Sequence, residues 1–471
     1  MEDQEIIVIP QKKTRIMATI GPVSNNEETI KEMVEKGVDA FRLNLSHSNL
    51  EAHHNLIALI RRITPNIPIF MDTKGPEIRI GELKSPIKME KGTIFTLTTE
   101  NVNYEESKKI KVSYPGFVSD VEKDDILIID SGKIKAKVIE KSLKDIKCEV
   151  IMGSENLRSK RHINLQGKNV SLPSITEEDL KDLNFCIKEQ VDFIGLSFVR
   201  DISDITKVRE YLDKNCGKSI QIIAKIESYK STINYIELIK AADGIGIARG
   251  DLACEIPFSQ VPFLQKKIAE ACLRYNKPVN LATQIISSMC ENIQPTRAEC
   301  NDIANSVFDG IEALTVCEET AEGKYPILTI ETMSNIIKYS EENFYKNCKP
   351  KGAHCCCNLD FILGLNNSDK RFKNIVLIQN NNDLLAKKFA SCKFYDFTIF
   401  SFSNNEMLFR QMNHLWGIVP VYKKKLSIDY KNNIKIIEET LKKLKIENYL
   451  LIVDSIENDN SLFTIQYRMI K

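Results

Sequence analysis

Net charge is what this sequence lacks most plainly. Its 65 lysines and arginines against 64 aspartates and glutamates leave a formal balance of +1 over 471 residues. A protein devoted to nucleic acid or to an anionic membrane surface carries a basic excess, so neither partner is expected. Long apolar runs are missing as well, and no segment is expected to span a bilayer. The first residues, MEDQEIIVIPQKK, lack the basic stretch and apolar core of a secretion signal. No internal repeat and no low-complexity tract is evident.

Cysteine is not scarce. The thirteen cysteines are scattered along a long chain without a secretion signal, which fits reduced thiols in the cytoplasm rather than a disulfide scaffold. The run Cys355–Cys357 behind His354 lacks the spacing and the second ligand pair of a zinc site, and a reduced loop or helix start is expected there.

Eight strand-like apolar runs are present: RIMATI (15–20), DAFRLNL (39–45), IPIFMDT (67–73), DFIGLSF (192–198), IQIIAKI (220–226), GIGIA (244–248), PVNLATQ (278–284) and EALTVC (312–317). Amphipathic helical stretches such as NEETIKEMVEKG (26–37) and SITEEDLKDLNFCIKEQ (174–190) separate most of them. Alternation of this kind implies parallel βαβ units, and eight of them imply a closed (β/α)₈ barrel. Between the third and fourth strands lie KGTIFTLTTE, DILIID, KIKAKVIE and KCEVIMG, short strands of a small β unit placed over the end of the barrel that carries active sites, as a lid would be. Beyond residue 344 strands and helices alternate again and end in two strands. The expected divisions are a barrel of residues 1–79 and 172–343, a lid of 80–171, and an α/β domain of 344–471. In PTRAE, Thr296 and Glu299 form a capping box.

Polar residues at barrel strand ends are the candidates for chemistry. They are Arg42, Asn44 and Ser46; Asp72, Thr73 and Lys74; Ser197 and Phe198; Lys225 and Glu227; Gly250 and Asp251; Thr283 and Gln284. Lys225 and Glu227, two apart on a buried strand, point to one face. Buried charges need partners, so they are either a structural ion pair or the binders of an anion and a cation. Glu227 and Asp251, on adjacent strand ends, suit Mg²⁺ or Mn²⁺ completed by substrate oxygens and water. Lys225 beside such a metal suits a phosphoryl group, with Arg42 as a second cation. Asn44, Ser46, Asp72 and Thr73 offer one carboxylate among neutral oxygens, which suits K⁺ or a plain hydrogen-bond cluster. The Arg-Gly-Asp triplet 249–251 follows a buried strand, so an adhesion role is set aside. A Schiff-base Lys225 in an aldolase-type lyase is the rival within barrel enzymes; the nearby carboxylates, which keep the amine protonated, oppose it.

These residues sit in TRIMATIGPVS, FRLNLSHSNLEAHH, MDTKGPEIR, IIAKIES, GIGIARGDLACEIP, KPVNLATQ and PTRAECNDIANSVFDG…EETAEGKYP. In that order, over roughly residues 14–343, they resemble the pyruvate kinase family. The resemblance implies a barrel with an inserted lid and a C-terminal α/β domain, and transfer of the phosphoryl group of phosphoenolpyruvate to ADP in a cytoplasmic homotetramer. It implies Glu227 and Asp251 for the divalent metal, with Lys225, Arg42 and Thr283 as catalytic residues. Ser197 and the Gly250–Asp251 backbone join Arg42, Lys225 and Thr283 around the substrate. Asn44, Ser46, Asp72 and Thr73 match the K⁺ site, with Glu77 the acidic residue of K⁺-dependent members, although Ile80 stands where those carry threonine. The nucleotide is expected along Thr19, Pro22, Asn44, His47, His53, Arg79 and Arg161, the last in place of lysine.

The sequence departs from the family pattern elsewhere. The paired lid aspartates read Asp130-Ser131. Gln166 replaces a hinge proline. Cys317-Glu318 stands for the Ser-Gly whose serine is associated with protonation of enolpyruvate; a thiol is a weaker hydrogen-bonding link. The loop IQNNNDLLAKK (378–388) has no glycine, serine or threonine with which to cradle a sugar bisphosphate, so activation by fructose 1,6-bisphosphate is not expected. A catalytically idle relative serving as a binding or regulatory protein is the alternative these changes raise.

Overall fold

The computed structural model describes residues 5–153, 156–345, 373–379, 382–427, 430–454 and 463–470, together with Cys348, Pro350, Lys351 and Ala353. Cys355–Cys357 and His354 lie outside the described residues. The eight apolar runs form a closed parallel barrel, in chain order Arg15–Thr19, Ala40–Asn44, Ile69–Asp72, Phe193–Leu196, Gln221–Ile226, Gly244–Ala248, Val279–Ala282 and Ala313–Val316. Helices start where side chains cap them. Asn26 accepts the Thr29 N–H ahead of helix Glu27–Lys36, and Thr296 with Glu299 makes a full capping box on helix Arg297–Phe308. Among the described residues no helix is long and apolar enough to cross a membrane, and no disulfide joins the described cysteines.

The insertion is a six-stranded sheet, ordered Ile163–Leu165, Ile126–Ile129, Ile134–Lys141, Asp145–Gly153, Ile94–Thr98, Lys109–Lys111. Its alternation is visible in Ile134, Ala136 and Val138, all fully buried. Its core, including Leu97, Ile110, Ile129 and Val150, is separate from that of the barrel, so the unit can shift as one body on its two connections.

The third sheet runs Glu5–Ile7, Ile418–Lys423, Thr398–Ser403, Asn374–Ile378, Asn448–Asp454, Phe463–Met469. Its middle strands are parallel and both outer ones antiparallel. Two features differ from the sequence reading. That reading gives residues 1–79 wholly to the barrel, but Glu5–Ile7 pairs with Ile418–Lys423; three residues carry no periodicity from which a partner so distant could be read. Strand Ile418–Lys423, which contains Pro420, is a further strand of this unit that the sequence reading does not name.

This third unit seals the end of the barrel opposite the lid. His414 enters the barrel interior, its ring 4.6 Å from Phe70 and 5.4 Å from Phe193, with Nε2 2.8 Å from Asn280 Oδ1. Phe70 and Phe193 are themselves stacked at 4.1 Å. The fully buried Arg15 guanidinium donates to the carbonyls of Leu415 and Ile418.

Candidate active site

Side chains alternate along each strand, so the strand ends place Arg42, Asp72 and Lys225 two residues above the interior layer of Ala40, Phe70 and Ile223. Asp72 is the hub. Its Oδ2 accepts from Arg42 Nε at 2.9 Å and lies 2.8 Å from Arg42 Nη2 and 3.4 Å from Lys225 Nζ. The space exists because residue 195 is glycine: a Cβ there would lie 2.1 Å from Asp72 Oδ1. Lys225 also reaches Glu227 Oε2 at 3.1 Å and donates to Ser197 Oγ at 3.0 Å. Ser197 Oγ in turn donates to the Thr73 carbonyl at 2.7 Å. The Phe198 N–H donates to Glu227 Oε1 at 2.7 Å, with Phe198 in a left-handed conformation at φ +53°.

Burial and neighbouring charge compete at each of these groups. Burial pushes Lys225 down, but Glu227 and Asp72 outweigh it and the ammonium is held more firmly than usual. Burial likewise opposes Arg42, and Asp72 prevails. For Asp72 the two cations overcome burial and the carboxyl is lowered. Glu227 goes the other way: fully buried, it is raised to about 7 despite Lys225. Its Oε2 has no well-directed hydrogen bond among the described residues. Lys225 and Glu227 thus pair with each other, yet one buried carboxylate oxygen is poorly served. A protonated Lys225 is also no nucleophile, which counts against Schiff-base chemistry.

A cavity of about 770 Å³ opens beside this cluster. It brings together Thr19, Pro22, Arg42, Asn44, His47, His53, Asp251 and Thr283 with Cys317. The Thr283 hydroxyl accepts the Gly250 N–H at 2.7 Å at the start of helix Arg249–Glu255. Thr283 and Gln284 are both left-handed, at φ +70° and +55°. Arg249 fixes them, donating to both carbonyls while ion-pairing with Asp302 at 2.7 Å. The Cys317 thiol is 3.8 Å from Arg42 Nη1 and is pushed up by burial.

Two expected nucleotide contacts are not brought to this cavity. Arg79 is held by Glu77 and by the Lys160 carbonyl. Arg161 faces Asp130 at 3.4 Å. Both arginines lie on the lid side of the seam, where local carboxylates capture them. Ser131 is exposed in a turn with Asp130 and Gly132, all at positive φ.

The metal candidates differ in fit. Asp251 adds to the upward shift of Glu227, and Glu227 keeps an ill-served oxygen; a divalent cation relieves both. Among the described residues no cluster of three or more His, Cys, Asp or Glu could hold a metal by itself, so two carboxylates need oxygens from elsewhere. The K⁺ set does not show that need. Asp72 Oδ2 is occupied by two cations, Thr73 Oγ1 accepts the Ser197 N–H at 3.1 Å, and Asn44 Oδ1 accepts the Ser46 N–H at 3.0 Å.

The sequence matches the family model described as pyruvate kinase, barrel domain, over residues 11–330. The chain belongs to the pyruvate kinase family. It is 35% identical over 421 residues to pyruvate kinase isozyme G, chloroplastic, of Nicotiana tabacum, covering 87% of this chain and 74% of the relative. Plastidial pyruvate kinase 3 of Arabidopsis thaliana is 35% identical over 483 residues, covering 98% and 82%. Pyruvate kinase of Staphylococcus aureus (strain USA300) is 34% identical over 439 residues, covering 88% and 72%. Pyruvate kinases are phosphotransferases, and the cluster around Asp72 lies inside the matched barrel. Two site residues escaped the sequence reading. Glu319 accepts the Cys317 N–H at 2.7 Å and shapes that loop from a buried position. Glu255 joins lid to barrel. A carboxylate at the apolar end of LACEIP was the signal available for the latter.

Proposed function

We propose that this chain transfers the phosphoryl group of phosphoenolpyruvate to ADP, giving ATP and pyruvate. The observation that carries the reading is the convergence of Arg42 and Lys225, both charged, beside Glu227 and at the edge of a cavity large enough for a nucleotide. Lys225 and Arg42 approach the phosphoryl group from two sides. Their present carboxylate partners keep them protonated and oriented, so little reorganisation is needed when charge develops on the transferring oxygens. The P–O bond to the enol oxygen breaks, a P–O bond to the terminal phosphate oxygen of ADP forms, and the released enolate takes a proton at its methylene carbon. Thr283, Ser197 and the Gly250–Asp251 segment hold the pyruvate end. Thr19, Pro22, Asn44, His47 and His53 line the nucleotide's place, with Arg79 and Arg161 reaching it only by leaving Glu77 and Asp130. Glu227 and Asp251 would hold Mg²⁺ or Mn²⁺, which neutralises substrate carboxylate and phosphate charge when bound. No step is assigned to K⁺. A homotetramer in the cytoplasm completes the proposal, tested by sedimentation and fractionation.

We also propose that fructose 1,6-bisphosphate does not activate the chain. In the loop after strand Asn374–Ile378, Asp383 and Lys387 are engaged with Gln221 of the barrel, which supports a loop committed to packing rather than to phosphate.

The test is pyruvate formation from phosphoenolpyruvate and ADP with Mg²⁺, in K⁺ or in a bulky inert cation, with Lys225→Met as control. Metal-dependent turnover lost in the control is expected. Absence of turnover in every condition overturns the reaction and leaves a binding protein on this scaffold. A fall in half-saturating phosphoenolpyruvate on adding fructose 1,6-bisphosphate overturns the second proposal.

A further inference from the structure

Helix Arg249–Glu255 is seven residues long, and each end meets a different part of the machinery. Gly250 and Asp251 lie in its first turn. Glu255 is its last residue. Glu255 Oε1 accepts from Asn164 Nδ2 at 2.9 Å, and Oε2 accepts the Tyr229 N–H at 3.1 Å. Asn164 belongs to the lid strand Ile163–Leu165, on the return connection to the barrel. Tyr229 opens helix Tyr229–Ala241, two residues after Glu227. Two further bonds fasten the same seam: the Gly167 N–H donates to the Glu255 carbonyl at 2.8 Å, and Gln166 Nε2 to the Ile256 carbonyl at 3.4 Å.

One carboxylate thus bridges two bodies with separate cores, the lid and the barrel. Its barrel-side donor adjoins Glu227, and a single short helix connects it to Asp251. A helix of seven residues is about 10 Å of stiff rod, so a shift at Glu255 moves Asp251 rather than being absorbed between them.

We propose that Glu255 is a positioning residue that couples the placement of the lid, through helix Arg249–Glu255, to the placement of Asp251. This rests on the reading of Glu227 and Asp251 as ligands of a divalent cation. When the Asn164 contact is made, Asp251 is held toward Glu227; when it is broken, Asp251 is released.

The test is Mn²⁺ affinity of the full chain, read as free Mn²⁺ by electron paramagnetic resonance without turnover. Read above the range to which burial pushes Glu255, about 7, so that the facing carboxyls do not share a proton, Asn164→Asp breaks the contact and Mn²⁺ binding should weaken about tenfold, the size of one lost charge-assisted hydrogen bond. Glu255→Gln should bind like wild type, because the Asn164 amide can turn over to accept from the new amide. The double variant N164D/E255Q should recover to within about twofold, since the carboxylate introduced at position 164 then accepts from the amide introduced at position 255. Simple electrostatics predicts the reverse order: the added charge of N164D tightens cation binding and its loss in E255Q loosens it. That reverse order, or three variants indistinguishable from wild type, overturns the inference. Asn164→Ala, which removes the donor without adding charge, should weaken binding like N164D and serves in its place if N164D does not fold; unchanged affinity in Asn164→Ala likewise overturns it. Asp251→Asn is the reference: if it leaves Mn²⁺ affinity unchanged, the metal reading falls and this inference with it. If the coupling is found but phosphoenolpyruvate and ADP give no pyruvate, the proposed reaction fails and the coupling stands.

Discussion

Asp72 Oδ2 is shared by Arg42 Nη2 at 2.8 Å and Lys225 Nζ at 3.4 Å, so one carboxylate oxygen holds both cations of the candidate site in place. The arrangement stores two protonated donors side by side in a buried spot without leaving either unpaired.

Replacing Lys225 by methionine takes from Glu227 the cation it pairs with and leaves Asp72 with Arg42 alone. Turnover should fall on the order of 10²–10³-fold or more, as for removal of one donor aimed at developing charge. Thermal stability should drop as well, because Glu227 becomes an uncompensated buried carboxylate. A variant with full turnover in the phosphoenolpyruvate assay would remove Lys225 from the chemistry.

Arg249 should act through the 283–284 segment. A β-branched residue at positive φ costs about 1–3 kcal/mol and persists only where neighbours impose it. Arg249→Lys lacks the fork that reaches the Thr283 and Gln284 carbonyls together with Asp302. The expected result is a loss of about tenfold or more in kcat/KM for phosphoenolpyruvate, with the melting temperature little changed. Equal loss of stability and activity would make the contact merely structural.

Cys317 faces the cavity beside Arg42 with its thiol pushed up by burial. Serine in its place supplies a better hydrogen-bonding hydroxyl. Cys317→Ser should speed proton exchange at the methyl carbon of pyruvate, followed by isotope loss, several-fold within the range of general acid catalysis. An unchanged exchange rate, with turnover intact, would show that residue 317 lies off the proton route.

His414 makes a pH prediction. Burial, with Arg15 and Lys387 adding to it, lowers its pKa from 6.5 to about 3. The unfolded chain therefore takes up a proton below 6.5 that the folded chain refuses. The stability His414 contributes is present above pH 6.5 and is lost as pH falls toward 3. Relative to His414→Gln, the wild type should lose about 1.4 kcal/mol per pH unit between pH 6.5 and 4.5. Denaturant melts at several pH values check it, and parallel curves would refute it.

Much of this was legible in the sequence because the signals were local. Each barrel strand was a short apolar run, most with a polar residue at or just past its end, and the place of Arg42, Asp72 and the Lys225–Glu227 pair on the second, third and fifth strands already implied that they converge. What was not legible depends on distance in the chain. Nothing near Arg161 indicates that Asp130 engages it; Glu77 does stand two residues from Arg79, but its capture of that side chain is missed when the acid is assigned to K⁺. Nothing near His414 indicates that it packs on Phe70, since a histidine after an amphipathic helix reads as a surface residue. The roles of Asn164 and Glu255 arise only where two separately folded bodies meet.

The docking of the third unit also sets an order on biosynthesis. Arg15 leaves the ribosome with the first barrel strand, but its acceptors, the carbonyls of Leu415 and Ile418, follow 400 and 403 residues later. At about 5–20 residues per second that separation lasts about 20–80 s. Throughout it the nascent barrel has an open end, its Arg15 guanidinium left with Asp39 and the Lys12 carbonyl but without those acceptors, and the Phe70–Phe193 stack exposed to water. The part of the chain that carries the chemistry is therefore the part that waits, and a protein truncated after residue 344 should be recovered with chaperones or in aggregates rather than as a free catalytic domain.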